Sequence, residues 1–103
     1  LVLKQDFMLV EEIKDNELLR QFETKTACGL LTIEYAIQER KIFLTKLCAN
    51  ENEQEEKVNQ FITSVLDIAE ERKFKVVPTN TKIVSFFRKN KKFQQLLPPG
   101  IKI

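Results

Sequence analysis

"VNQFITSVLDIAEERKFKVVP", residues 58–78, carries two periodicities in one run. Val58, Phe61, Ile62, Val65, Leu66 and Ala69 recur at three- and four-residue spacing, which lays them along one stripe of an α-helix. From Phe74 the pattern changes. "FKVVP" (74–78) is a short β-rich run closed by Pro78, which has no N–H to give to a sheet ladder. The helix is expected over residues 53–73. Asn52 followed by Glu55 fits a capping box, with Asn50 and Glu53 as the alternative register. A long helix that delivers the chain into a strand suggests a crossover to a parallel neighbour, so a strand is expected before it.

The preceding residues supply that strand. "IFLTKLCA" (42–49) is a β run whose apolar residues fall on both faces, which suits a central position in the sheet. "LLTIEYAIQ" (30–38) alternates: Leu31, Ile33, Tyr35 and Ile37 point one way, and Thr32, Glu34, Ala36 and Gln38 the other. "RQFETKTA" (20–27) has moderate β character and runs up to Gly29. Short polar turns between these runs make residues 20–49 an antiparallel meander. Nearer the amino terminus, "LVLKQDFMLV" (1–10) is apolar enough for a strand, and "IKDNE" (13–17) looks like a turn. After Pro78, "TNT" (79–81) offers helix caps. Ile83, Val84, Phe86, Phe87, Phe93, Leu96 and Leu97 then mark a second amphipathic helix, broken near Asn90 and ended by Pro98-Pro99-Gly100. The fold class is therefore α+β: a mixed sheet with an antiparallel N-terminal meander, a β-α-β crossover and a C-terminal helix. One domain covers residues 1–103, with residues 1–9 as a possible extension.

Composition limits the chemistry. The 103 residues are 43% hydrophobic and 31% charged, without an apolar run long enough to cross a bilayer. No apolar stretch follows a basic amino terminus, so no signal peptide is expected. The sequence starts at Leu1 rather than Met, which leaves an upstream targeting segment open. There is no histidine, which removes the commonest general base and metal ligand. No metal site is expected. Cys28 and Cys48 are isolated, match no CxxC pattern, and suit an intracellular, reducing compartment: the cytoplasm or an organelle matrix. The net charge of +2 says little, but its distribution says more. Lys82, Arg88, Lys89, Lys91, Lys92 and Lys102 face no acidic residue in the last segment, so the rest of the chain is net acidic.

This order of elements, with several local stretches, resembles the GNAT superfamily of acyl-CoA-dependent N-acetyltransferases, in particular its smallest single-domain branch. In that branch a phenylalanine opens the second strand and a tyrosine ends the third; here these are "RQFET" (20–24) and "TIEYA" (32–36). The fourth strand usually reads hydrophobic-His-Thr-x-Val; here it is "FLTKL" (43–47), with Leu44 in place of the histidine. The fifth strand leads to a Pro-x-Cys element; here "VVPTN" (76–80) puts Asn80 at the cysteine. The last helix ends in a His-Pro-acidic-aromatic element; "IVSFFRKNKKFQQLL" (83–97) has Asn90 and Lys91 in place of His-Pro. The likeness covers roughly residues 10–97.

The resemblance also assigns a phosphate loop. In active members it resembles Arg/Gln-Gly-x-Gly-x-Gly/Ala, whose bare backbone lets N–H groups approach the CoA pyrophosphate at a helix start. The equivalent positions are Gln54 to Asn59. Glu55 and Lys57 stand at the glycine sites, Asn59 stands at the small-residue site, and the loop is about two residues longer than usual. What the resemblance implies is a vestigial cofactor-binding set: Leu47 and Cys48 on the fourth strand, Gln54, Lys57 and Asn59 at the loop, and Asn80 after the fifth strand. Acetyl-CoA or CoA is the cofactor if the fold is active; otherwise none is expected.

Each of these residues also has a plainer role, and the plainer role is preferred. The glutamates before and within the helix start suit a capped, solvated terminus. Asn80 suits a cap, Tyr35 a core position and Cys48 an inert thiol, since the run after it is acidic. Glu34 is the least poor general base, and no catalytic residue is assigned. Arg88, Lys89, Lys91 and Lys92 lie among phenylalanines, a pattern that can hold single-stranded nucleic acid, but those phenylalanines fit the helical stripe. The favoured reading is a non-catalytic GNAT-like structural or protein-interaction module, part of a larger assembly with protein partners. The alternative is an acetyl-CoA-dependent N-acetyltransferase with a divergent pyrophosphate loop.

Overall fold

A computed structural model describes residues 13–101 and residue 103. The strand expected in residues 1–10 and the extension at 1–9 lie outside the described residues. The elements in chain order are β1 (Lys14–Asn16), β2 (Gln21–Thr26), β3 (Gly29–Gln38), β4 (Lys41–Cys48), α1 (Glu55–Glu71), β5 (Lys75–Pro78), α2 (Thr81–Lys89) and a 3-10 helix (Lys91–Leu96). They form a mixed α+β fold around one five-stranded sheet in the order β1-β2-β3-β4-β5. The first four strands pair antiparallel, and β4 pairs parallel with β5 through the α1 crossover.

The alternation of β3 has its expected consequence: Leu31, Ile33 and Tyr35 are buried. Ile37 is not, because β2 starts opposite Glu34 and leaves the far end of β3 half covered. Across this face lie Phe22 of β2, Ile42 and Leu44 of β4, and Val76 of β5. Phe61, Ile62, Val65, Leu66 and Ala69 of α1 pack on them, joined by Ile83, Phe86 and Phe87 of α2.

One irregularity explains why the apolar residues of β4 seem to fall on both faces. Tyr35 pairs with Leu44, but Glu34 pairs with Lys46, so Thr45 is an extra residue in β4. This bulge resets the alternation. Leu44 is buried and Leu47, three residues on, still packs against the same core. The ladder to β5 ends at Leu44 and Pro78, where the Thr79 N–H and hydroxyl both donate to the Leu44 carbonyl (3.1 and 3.2 Å). Among the described residues, 45–48 of β4 therefore run on without a partner on that side.

Two local expectations change. "IKDNE" is not simply a turn: Lys14–Asn16 is a strand, and the turn follows it at residues 17–20. Tertiary contacts override the polar composition there. Asn16 donates to Glu23 (3.0 Å), and Asp15 accepts from the Tyr35 hydroxyl (2.6 Å) and pairs with Arg72 (2.8 Å). Helix α1 also starts at Glu55, two residues later than expected, and its N-cap is Gln54, with no side-chain cap bond. At α2 the expectation holds. The Asn80 side chain accepts from the N–H groups of Lys82 and Ile83 (2.9 and 3.3 Å), a cap of a type that contributes about 1 kcal/mol. The break at Asn90 is present as well, where the α-helix gives way to the 3-10 turn.

Candidate functional site

A groove of about 390 Å³ lies between the β4–α1 loop, the first half of α1, and α2. Val58, Ile62 and Phe86 give it an apolar floor. One wall carries Glu51, Glu53 and Glu55; the other carries Lys82, Ser85 and Lys89. Among the described residues no ion pair joins the two walls, so each keeps its own field. The volume is in the range of small-ligand sites.

The acidic wall is held by the sequence of its loop. Asn50 accepts the N–H of Asn52 through its side chain (2.8 Å), and its carbonyl accepts the N–H of Glu53 (2.9 Å). The Glu53 carboxylate takes the Thr26 hydroxyl with one oxygen and the Gln54 N–H with the other. The Cys28 thiol donates to the Asn52 carbonyl (3.5 Å). Both capping-box registers fail for this reason. Asn50 and Glu53 are engaged inside the loop, and the helix begins with Glu55 as its first residue. Apart from the Gln54 N–H that Glu53 takes, the acids at this helix end act through charge and bulk and do not close its amides by hydrogen bonds.

Of the six positions the resemblance implied, the groove includes only Asn59. Gln54 is the exposed N-cap, and Lys57 and Cys48 are exposed. Leu47 packs on the core, and Asn80 caps α2. Glu34 lies across the ladder from Lys46. Lys82 and Ser85 were not read as site residues. Their signal was present: 82, 85 and 89 follow helical spacing, and so fall on one side of α2. Arg88, Lys91 and Lys92 are exposed, yet Phe86 and Phe87 are buried, which leaves only half-buried Phe93 near the basic run. Among the described residues no group of three or more His, Cys, Asp or Glu is placed to hold a metal ion. No described helix is long and apolar enough to cross a membrane.

Tyr35 sits away from the groove, in contact with Phe22 (4.8 Å between rings) and Asp15. Burial, and then the hydrogen bond to Asp15, push its phenol up to about 12 from an ordinary 10.0. Folding therefore favours the neutral phenol. That stabilisation is complete below pH 10 and is lost as pH rises through about 12. Tyr35 is the only tyrosine and there is no tryptophan, so an ultraviolet titration reads this group alone. The phenolate signal should rise near pH 12 in the folded protein; a midpoint near 10 with the fold intact would contradict the buried pairing.

Compared with known proteins, the chain matches no family model and no curated protein sequence.

Proposed function

We propose that this chain is a non-catalytic GNAT-like module, a structural or protein-interaction domain of a larger assembly. The carrying observation is the acidic wall of the groove. Glu51, Glu53 and Glu55 line the space at the start of α1, where an active relative would lay a diphosphate against glycines. At about 4–6 Å and an effective dielectric near 20, each like-charge contact costs on the order of 3–4 kcal/mol before salt screening. The groove opens to solvent, so screening keeps only part of this, but the contacts act together. Other departures point the same way. Leu44, at the histidine position, is fully buried, and Asn80, at the cysteine position, is committed to a helix cap. An intracellular, reducing compartment suits the two free thiols, Cys28 and Cys48.

A second reading has its own support. The end of α1 has no side-chain cap, β4 runs past β5 for four residues, and Lys82 and Lys89 face the gap. These features suit an acetyl-CoA-dependent N-acetyltransferase with a divergent loop, in which positioning an amine against the thioester supplies much of the rate. Lys82 and Lys89, rather than Lys57, would then meet the phosphates. Calorimetric titration with acetyl-CoA separates the readings. No saturable heat is expected. One-to-one binding at micromolar concentration would favour the enzyme.

A further inference from the structure

The groove has opposite charges on its walls and an apolar floor. At the other end of the molecule the chain displays a segment of complementary charge and polarity. The turn after β1 reads Glu17-Leu18-Leu19-Arg20, an apolar pair with an acid before it and a base after it. Leu18 is 91% exposed and Leu19 59%, the two most exposed large hydrophobic residues described. The turn is rigid. Asn16 accepts the Leu19 N–H through its side chain (3.1 Å), and the Arg20 carbonyl accepts the Tyr35 N–H (2.9 Å). These bonds reduce the backbone freedom that is lost when it docks.

This turn cannot reach the groove of its own chain. Helix α1 begins at the groove and runs to Arg72, which holds Asp15 beside the turn. Its 17 residues put about 25 Å between the two features. A second copy has no such restriction.

We propose that the groove receives the Glu17–Arg20 turn of a second copy of this chain. Leu18 and Leu19 lie against half-buried Val58, with Ile62 and Phe86, almost wholly covered in the free chain, beneath it. Glu17 meets Lys82 and Lys89, and Arg20 meets the wall of Glu51, Glu53 and Glu55. Each charge then finds an opposite one, whereas among the described residues none of them is in an ion pair within its own chain. The two surfaces are different patches, so the contact is head-to-tail and each added copy leaves one turn and one groove open. The inference rests on the reading of the groove as a protein-binding rather than a nucleotide-binding site. The contact is small, so association is weak and depends on concentration and salt.

Sedimentation velocity over a dilution series tests this. The wild-type protein should show a weight-average sedimentation coefficient that rises with concentration, does not level off at a dimer, and falls with added salt. Leu18→Asp, at an exposed turn, should remove the rise while circular dichroism shows the fold intact. The paired variant Lys82→Glu/Lys89→Glu should remove it too. Mixing the two should restore a one-to-one complex that grows no further, because only one intact turn and one intact groove are present. Glu17→Lys placed in the lysine-reversed chain should recover self-association. A wild-type protein that stays monomeric at its highest concentration overturns the proposal, as does a Leu18→Asp chain that associates like wild type. A failed dilution series together with silent acetyl-CoA calorimetry removes the self-docking alone, whereas acetyl-CoA binding removes the reading beneath it.

Discussion

Truncating Phe61 to alanine should cost about 3–5 kcal/mol of folding stability, a large part of what a domain this size has. Phe61 is fully buried on the core side of α1, in one cluster with Phe22, Leu44 and Phe87. Its ring links the crossover helix to the sheet, and a rigid sheet cannot close over the space left by its loss. Urea unfolding followed by circular dichroism measures the change in midpoint. A loss below about 1 kcal/mol would mean that α1 does not pack on the sheet through this stripe. Because α1 also carries one side of the groove, that result would undo the site as well as the fold.

The second large effect concerns charge. Replacing Glu51, Glu53 and Glu55 together by glutamine should raise affinity for inorganic pyrophosphate by about tenfold or more, since each removed contact was repulsive by an amount that screening only reduces. Lys82 and Lys89 would then act on the anion unopposed. The fold should survive. Losing Glu55 from the first turn forfeits about 0.3–1 kcal/mol of favourable interaction with the helix dipole; at Glu53, which accepts from the Thr26 hydroxyl and the Gln54 N–H, the glutamine keeps one acceptor oxygen, and Thr26 retains the Gly29 carbonyl as an alternative acceptor. Calorimetry of wild type and triple variant side by side gives the comparison. Equal affinities would show that the acidic wall does not exclude the anion.

Much of the fold could be read in the sequence because its signals were local and periodic. The stripe from Val58 to Ala69, the alternation from Leu31 to Tyr35 and the cap at Asn80 each depend on neighbours a few residues away. What escaped depended on distant partners. Lys14–Asn16 forms a strand because Tyr35 and Arg72, 20 and 57 residues from Asp15, hold its carboxylate. The start of α1 moved because Thr26, from another part of the sheet, engages Glu53. The bulge at Thr45 leaves no clear mark in a run where apolar residues already fall on both sides. The groove was half legible. Its acidic wall stands in one contiguous stretch, but its basic wall comes from α2, and only the packing of two helices sets Lys82 and Lys89 across from the glutamates.

The account depends most on the start of α1 being closed to a diphosphate by its own acid groups. An NMR titration of the isotope-labelled protein with acetyl-CoA tests that at the residues concerned. The amide signals of Glu55, Glu56 and Lys57 should stay in place up to millimolar ligand. Saturating shifts of those amides, together with Lys82 and Lys89, would place the cofactor in the groove and contradict the account.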